Sequence, residues 1–403
     1  MDRYIVVSSD CHAGPLPETY REYLEPKYRP IFDQALPIQL AQIAKVEKSF
    51  LIQEVNEEWR KPILQQLTGT WEDKERTKVL DSEGIAAEII YVDGITERNS
   101  PPFGAGLSLP TIGIDPELQW AGARAHNRFL AELCAMDPVR RHGVAVMPLL
   151  WDIDQALEHL NWLVENGIRN VQIPSMVNQF EPYHHPRYYP FWEACQDKGV
   201  IVNLHSGSGP MGDFFGREWP EKPGLPGAVG AFNMEVFFWT FRPLTMMLWG
   251  GVFEKFPRLK VAVAETGTLW LLPPYLRHLD HGWHEAEFSL KLGDFKSHLS
   301  MAPTDYFRRQ VALGASALSR ADIDERYAVG VKQLMWGNDF PHPEGTFPLT
   351  WPHYADRFKG IPESETADIL GGNAIEFYNL DRAALAKIAE RIGPKKSELA
   401  TAA

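Results

Sequence analysis

The amino-acid sequence predicts an α/β protein in which eight parallel strands, separated by helices, close into one barrel. Two observations predict this fold. Short β-branched runs alternate with helix-length segments along most of the 403 residues, as in the βαβ units of a parallel sheet. Several runs end in residues that can bind metals, and barrel enzymes carry their active sites at these carboxyl ends. The chain length suits one such barrel with insertions.

The predicted strands are short runs rich in Val, Ile and Ala, bounded by Gly, Pro or polar residues. In chain order they cover 4–9, 86–92, 143–148, 169–174, 200–207, 260–267, 310–314 and 333–337. Helical segments are expected between them, at 118–136, 152–166 and 191–198. Asp152 and Gly167 flank the second of these with the residue types that begin and end helices.

Two segments fall outside the alternation. Residues 13–78 show little strand pattern, and an amphipathic stretch at 36–67 predicts a helical insertion after the first strand that packs over the barrel mouth. The insertion could act as a lid or contact a partner, and the sequence does not distinguish these two roles. We expect residues 1–380 to form a single barrel domain and residues 381–403 to form a helical tail on the surface.

Composition narrows the possible partners and location. The net charge of −13 argues against nucleic-acid and membrane partners, which need clustered cations. The three cysteines are far apart, and the amino terminus enters a strand pattern directly, so a reducing, cytoplasmic location is expected. The apolar stretch 236–253 is interrupted by Arg242 and Pro243 and predicts a buried helix rather than a membrane span.

Seven candidate metal ligands lie at or just beyond the carboxyl ends of the predicted strands. They are Asp10 and His12 after the first strand, His205 at the end of the fifth, Glu265 at the end of the sixth, and Asp339, His342 and Glu344 after the eighth. Each alone is compatible with a capping or hydrogen-bonded loop residue. In a barrel, however, these strand ends meet at one mouth, so the coincidence predicts a metal site.

The motifs around these residues resemble the amidohydrolase-related family, in the branch of aminocarboxymuconate-semialdehyde and resorcylate-type decarboxylases. The motifs lie at 7–12, 202–209, 336–342 and 372–374. The resemblance extends to about residue 380, apart from the insertion, and implies a distorted (β/α)8 TIM barrel. It also implies four metal ligands, which are Asp10, His12, His205 and Asp339.

The sequence departs from this family at one position. The decarboxylases carry a catalytic histidine at the end of the sixth strand, and this chain has Glu265 there. His342 and Glu344 add two more possible ligands beside Asp339. Seven ligands exceed what one zinc ion with an open position needs, so two adjacent divalent ions are predicted. A donor set rich in oxygen and without thiolate favours iron or manganese.

The leading functional prediction follows from this ligand count. The chain is expected to be similar to dinuclear iron or Mn/Fe oxygenase members of the family and to hydroxylate a small organic molecule with dioxygen. Glu265 and His342 would be catalytic, an electron-donor protein would be a partner, and a homo- or hetero-oligomer is expected.

Two other functions are compatible with the same residues. The first is a hydrolase or non-oxidative decarboxylase that acts on a small carboxylate or amide. Two divalent ions would activate a bridging water, with Glu265 as general base, and a single zinc or manganese ion is the alternative metal content. The second is a non-catalytic metal-binding subunit of a heteromer.

Candidate substrate residues lie outside the strand ends. His184 and His185 occupy the loop after the fourth strand and are candidates to orient substrate. Arg242 is a candidate to bind a substrate carboxylate, and a structural ion pair is an equal alternative for it. The aromatic run 237–239 is predicted to belong to the core or to a subunit interface.

Overall fold

The computed structural model describes residues 2–93, 98–266, 271–285 and 291–400. It contains one eight-stranded sheet in which the strands are neighbours in chain order and all paired strands run parallel. The strands are β1 (Val6–Ala13), β2 (Ile85–Val92), β3 (Arg141–Val146), β4 (Asn170–Gln172), β5 (Ile201–His205), β6 (Val261–Ala264), β7 (Val311–Ser316) and β8 (Leu334–Gly337). The predicted barrel is therefore confirmed.

The barrel closes where β1 meets the segment that follows β8. The backbone N–H of Asp339 donates to the Asp10 carbonyl at 2.9 Å, and the N–H of His12 donates to the Phe340 carbonyl at 2.7 Å. β1 extends to Ala13, further than the predicted strand, because His12 still pairs with Tyr91 of β2. Three candidate ligands are thus part of the hydrogen bonding that closes the barrel.

The segment between β1 and β2 is helical, as predicted. Its helices are α1 (Tyr20–Tyr23), α2 (Arg29–Phe50), α3 (Gln53–Arg60), α4 (Leu64–Leu67) and α5 (Asp73–Ser82). Part of this insertion packs beside the closure of the barrel, where Ile63, Leu67 and Val79 contact Cys11 and Phe340. The proposed lid role stays a prediction.

Further helices connect the strands and follow β8. They are α6 (Pro116–Ala135), α7 (Ile153–Glu165), α8 (Tyr189–Lys198), α9 (Met211–Phe215), α10 (Ala228–Trp249), α11 (Val252–Lys255), α12 (Leu272–His284), α13 (Pro303–Gln310), α14 (Arg320–Asp324), α15 (Arg326–Val329), α16 (Thr350–Arg357), α17 (Glu363–Ala367), α18 (Asn373–Phe377), α19 (Arg382–Ile392) and α20 (Lys396–Ala400). Asp152 caps α7 by accepting from the Gln155 N–H at 3.0 Å. Within the described ranges, none of these helices has both the length and the apolar character needed to cross a bilayer.

The carboxyl-terminal tail packs more closely than a surface helix would. Leu385 of α19 is buried and belongs to the cluster that contains Ala86 and Ala87 of β2. The Arg391 guanidinium pairs with Asp81 at 2.6 Å. The tail therefore covers part of the sheet, because β2 needs an apolar partner on that side.

The turn before α18 passes very close to the chain just before β1. Residues Asp368–Gly372 form a π-helical turn, and a Cβ atom at Gly371 would lie 2.2 Å from the Ile5 carbonyl oxygen. A side chain at this position has no room, because the obstacle is backbone.

The substitution Gly371→Ala should therefore destabilise the barrel by about 1–3 kcal/mol, because the backbone must shift to admit a methyl group. Urea unfolding would measure the loss. Gly230→Ala on α10 is the matched control, since its Cβ would meet nothing within 4 Å, and it should change stability by less than about 1 kcal/mol. Equal stability of the two variants would contradict the packing.

Candidate functional site

Three of the predicted ligands form a buried inner group inside the barrel. Asp10 and His12 lie on the same face of β1, since they are two residues apart in a strand, and His205 ends β5. Asp10 Oδ1 is 3.2 Å from His205 Nε2 and 3.6 Å from His12 Nε2. All three side chains are almost completely shielded from solvent. One carboxylate is thus positioned between two imidazoles.

Asp339 connects this inner group to His342. Its Oδ1 atom lies 3.2 Å from His12 Nε2 and 3.0 Å from His342 Nδ1. The rings of His12 and His342 are neighbours, with centroids 4.0 Å apart and planes tilted by 33°. The segment after β8 therefore contributes to the same cluster as β1.

Glu265 and Glu344 form the outer edge of the cluster. Glu265 follows β6, its Oε2 lies 3.4 Å from His205 Nδ1, and it accepts a hydrogen bond from the Ser206 hydroxyl. Glu344 is exposed. The structure thus brings together all seven residues proposed from the sequence. They form three overlapping groups whose potential ligand atoms lie within 4.8 Å of one another: Asp10, His12 and His205; His12, Asp339 and His342; and Glu265, Asp339, His342 and Glu344.

Two of these carboxylates follow strand ends in a left-handed backbone conformation. The φ angles are 54° at Glu265 and 57° at Asp339. Such a conformation costs a residue with a side chain about 1–3 kcal/mol and persists where the surrounding structure enforces it. Both residues lie at the point where the chain turns out of the barrel.

Backbone carbonyls lie beside Nδ1 of His12 and His205, and the Nε2 atom of each ring is directed at the carboxylates. His12 Nδ1 is 2.8 Å from the Val92 carbonyl oxygen, and His205 Nδ1 is 3.2 Å from the Ser206 carbonyl oxygen. Each Nδ1 is therefore the natural donor, which leaves Nε2 to bind a metal.

The surroundings of two buried atoms in the cluster indicate whether a cation fits there. His12 Nε2 and Asp339 Oδ1 are 3.2 Å apart, yet neither makes a hydrogen bond of acceptable geometry with any described residue. Buried nitrogen and oxygen lone pairs without donors are costly. A divalent cation bound by imidazole nitrogens and carboxylate oxygens would satisfy both, so the donor set fits a metal ion.

Charges within the cluster alter several pKa values. Burial lowers the pKa of His12, which favours the neutral ring that binds metals. Burial also disfavours the charged form of His205, but the Asp10 and Glu265 carboxylates outweigh it and raise the pKa of His205 to about 9. Burial raises the pKa of Glu265 to about 7. Burial opposes the charge of Asp339 too, but His342 and His12 hold the pKa of this carboxyl well below its usual range.

A cavity of about 290 Å³ opens beside the cluster. Its lining residues are Ser206, Asn233, Val236, Phe237, Thr240, Phe241, Glu265, Thr266, Ser316, Ala317, Asp339 and Glu344. One wall is formed by carboxylates of the cluster and the other by α10, where the rings of Phe237 and Phe241 stack with centroids 4.4 Å apart. Among the described residues that line it, none is Lys or Arg. The cavity therefore pairs an acidic wall with an aromatic one.

The sequence-based assignment of 237–239 to core or interface missed this aromatic wall. Positions 233, 236, 237, 240 and 241 of α10 all line the cavity, and their spacing of three and four residues was visible in the sequence. The hydroxyl of Ser316, which donates to Asp10 Oδ2 at 2.5 Å, was also missed. A serine near the end of a poorly patterned strand gives no distinctive signal.

The structure does not bring the three predicted substrate residues to the cavity. The Arg242 guanidinium lies over the Trp239 ring at 5.8 Å, because one further residue along α10 turns it off the cavity face. His184 and His185 are exposed, and His184 packs against Gly250 at the end of α10. Their contact with substrate stays a prediction.

A comparison with family models decides the relationship of the chain to known proteins. The model described as Amidohydrolase matches residues 78–380, which is most of the sequence. The chain belongs to the amidohydrolase family. The resemblance stated from the sequence motifs is thereby confirmed.

Several decarboxylases are similar to this member of the amidohydrolase family. It is 26% identical over 333 residues to the gamma-resorcylate decarboxylase of Rhodococcus jostii, which covers 78% of this chain and 92% of that protein. It is 26% identical over 258 residues to the 2-amino-3-carboxymuconate-6-semialdehyde decarboxylase of Dictyostelium discoideum, which covers 63% of this chain and 66% of that protein. The 5-carboxyvanillate decarboxylase of Novosphingobium aromaticivorans, solved with manganese and 4-hydroxy-3-methoxy-5-nitrobenzoic acid, has a TM-score of 0.67 at 17% identity and covers 94% of this chain and 96% of that chain.

These comparisons overturn the leading functional prediction. The similar proteins are decarboxylases, so the prediction of a dinuclear monooxygenase that hydroxylates with dioxygen is wrong. The ligand count misled because carboxylates and imidazoles suit metal ions in many reactions. Loss of carbon dioxide consumes neither dioxygen nor electrons, so the predicted electron-donor protein has no role in such a reaction. The similarity to oxygenase members of the family receives no support.

The raised pKa of His205 predicts how metal-free protein responds to pH. An unfolded imidazole has a pKa of about 6.5, and the folded value is about 9. The protonated ring therefore stabilises the fold fully below pH of about 6.5, and this contribution is lost as the pH rises through about 9. Thermal unfolding of chelator-treated protein should show a falling midpoint across this window.

The variant His205→Gln is the control, because it cannot carry the proton. Its unfolding midpoint should fall less over the same pH range. Identical slopes for the variant and the parent protein would show that His205 does not hold the proton.

Proposed function

We propose that the chain catalyses the metal-dependent, non-oxidative decarboxylation of a small aromatic carboxylic acid. The main support for this proposal is the cavity in which the stacked rings of Phe237 and Phe241 face Glu265 and Asp339. The names of the similar proteins support the reaction class. The decarboxylase hypothesis, given above as an alternative, thus replaces the oxygenase hypothesis.

The inner group and Asp339 would together hold one divalent cation. Asp10, His12, His205 and Asp339 supply two carboxylates and two imidazoles around the unsatisfied His12 Nε2 and Asp339 Oδ1 atoms. When bound, the ion neutralises the surrounding carboxylates and polarises an oxygen of the substrate. Manganese is our choice because oxygen and nitrogen donors suit it and the similar 5-carboxyvanillate decarboxylase was solved with manganese.

We assign proton transfer to the outer edge of the cluster. Glu265, His342 and Glu344 form this outer edge, and their potential ligand atoms lie close to those of Asp339. These are also the donors that the predicted second ion would need. Manganese counted per chain by elemental analysis distinguishes one ion from two, and we expect one.

The aromatic wall would orient the substrate ring. Phe237 and Phe241 offer an apolar surface on which a planar ring packs by stacking or edge contact. The negative charge of the substrate is not offset there by Lys or Arg among the described lining residues. The substrate carboxylate is therefore expected at the metal end of the cavity, with the ring against α10.

Glu265 is positioned to supply the proton that the reaction needs. In the metal-free protein, burial raises the pKa of Glu265 to about 7, which favours a protonated carboxyl group near neutral pH. The ring carbon that bears the carboxylate accepts this proton, the bond between the two carbons breaks, and carbon dioxide leaves. The electron pair of the broken bond stays with the ring, and Glu265 takes a new proton from solvent. The Ser206 hydroxyl fixes the orientation of the Glu265 carboxyl group.

The first test follows carbon dioxide release. Manganese-loaded protein should release carbon dioxide from a hydroxylated benzoate such as 2,6-dihydroxybenzoate or 5-carboxyvanillate, equally fast with and without air. Chelation should abolish the rate and added manganese should restore it. A rate that depends on dioxygen and a reductant, or no release from any aromatic acid, would contradict the proposal.

The second test concerns Glu265. The variant Glu265→Gln keeps the shape but holds no transferable proton, so kcat should fall by about 10²–10⁴-fold. Manganese affinity should stay within about threefold, since Glu265 is not one of the four residues proposed to hold the ion. Glu193→Gln, an exposed change on α8, should leave both quantities unchanged. Loss of manganese affinity together with activity would instead make Glu265 a metal ligand.

A further inference from the structure

A completely buried ion pair lies behind the metal-binding cluster. Arg76 of α5 and Glu88 of β2 are both almost inaccessible to solvent. The guanidinium binds the carboxylate through two hydrogen bonds, Nε to Oε1 at 2.6 Å and a terminal nitrogen to Oε2 at 2.9 Å. Such a pair is expensive to bury unless further hydrogen bonds satisfy it.

The remaining donors of Arg76 reach the strand that carries two candidate ligands. The other terminal nitrogen donates to the His12 carbonyl at 2.9 Å and to the Gly69 carbonyl at 3.1 Å. The guanidinium also lies 5.8 Å from the centre of the Phe340 ring. One cation therefore joins β1, β2, the helical insertion and the residue next to Asp339.

The backbone of His12 is consequently held on both sides. Its N–H donates to the Phe340 carbonyl at 2.7 Å, and its carbonyl accepts from Arg76. Its side chain is fixed separately by the bond between Nδ1 and the Val92 carbonyl. Arg76 thus supplies one of the three contacts that fix the direction of His12 Nε2.

We propose that Arg76 is a positioning residue for the metal centre and that it connects the helical insertion to that centre. The inference rests on the proposed function, because it assumes that His12 binds the ion. Arg76 does not reach the cavity; it acts by holding the His12 peptide at the angle that directs Nε2 toward Asp10 and Asp339. Partners that orient metal ligands in this way affect affinity without touching the ion.

A lysine at this position would not replace the arginine. It keeps one positive charge beside Glu88 but lacks the planar fork that bonds a carboxylate and two carbonyls together. Arg76→Lys should therefore leave the Glu88 charge compensated while releasing the His12 carbonyl. Comparison with another buried arginine then separates positioning from general stabilisation.

Arg141 provides the matched control. It is equally buried and pairs with Asp73 of α5, the helix that carries Arg76, at 2.6 Å. Its other hydrogen bonds go to the Asp73 and Leu133 carbonyls and to the Thr77 hydroxyl. Arg141→Lys should lower the unfolding midpoint of metal-free protein as Arg76→Lys does. It touches none of the metal-binding residues.

The experiment measures manganese dissociation constants and unfolding midpoints of the full-length variants. Arg76→Lys should raise the manganese Kd by about tenfold or more, whereas Arg141→Lys should leave it within about twofold of the parent value. If Arg76→Lys does not fold, the double variant Arg76→Met with Glu88→Leu removes both charges at once. It should recover stability without recovering manganese affinity.

Three outcomes would overturn the inference. The first is a parent-like manganese Kd in the Arg76 variants, and the second is an equal loss of affinity in Arg141→Lys. The third is a parent protein that binds no manganese, which would overturn the proposed function and this inference with it. In the first two cases the metal site itself stands.

Discussion

The hydrogen bonds between β1 and the segment after β8 determine both the closed barrel and the spacing of the candidate ligands. Asp10 accepts the backbone N–H of Asp339 while its side chain faces His205. His12 donates to Phe340 while its ring faces Asp339. Since the same residues close the fold and form the cluster, a bound cation would stabilise the barrel as well as serve the reaction. Fold stability and metal occupancy are therefore thermodynamically linked in this chain.

Charge explains how such a cluster is tolerated inside a protein. Burial of several carboxylates without cations would be very unfavourable. In the metal-free state, protons on His205 and Glu265 offset part of this charge, as their raised pKa values indicate. A metal ion would take over that role and displace protons, so its affinity should increase with pH. Glu265 is not one of the four proposed ligands, so it is the residue best placed to keep a proton for the substrate.

The sequence predicted the position of the site more successfully than its chemistry. Strand alternation and the strand-end residues placed all seven candidates at one mouth, because the geometry of a parallel barrel leaves few other arrangements. Counting ligands gave the wrong reaction, since the donors at Asp339 and His342 do not reveal which substrate they face. The α10 wall escaped notice because Phe237 and Phe241 have the apolar spacing of an ordinary core helix. Which face of that helix meets the cavity depends on tertiary packing.

The part of the chain outside the matched family region contributes to the site as well. Asp10, His12 and Arg76 all precede residues 78–380, and Arg76 belongs to the helical insertion. Its guanidinium reaches the His12 carbonyl from α5 while the Glu88 carboxylate holds it from β2. A shift of α5 would have to break these hydrogen bonds or carry the His12 peptide with it, because a buried guanidinium cannot exchange them for water. The insertion is therefore joined through Arg76 to the residues of the proposed metal centre.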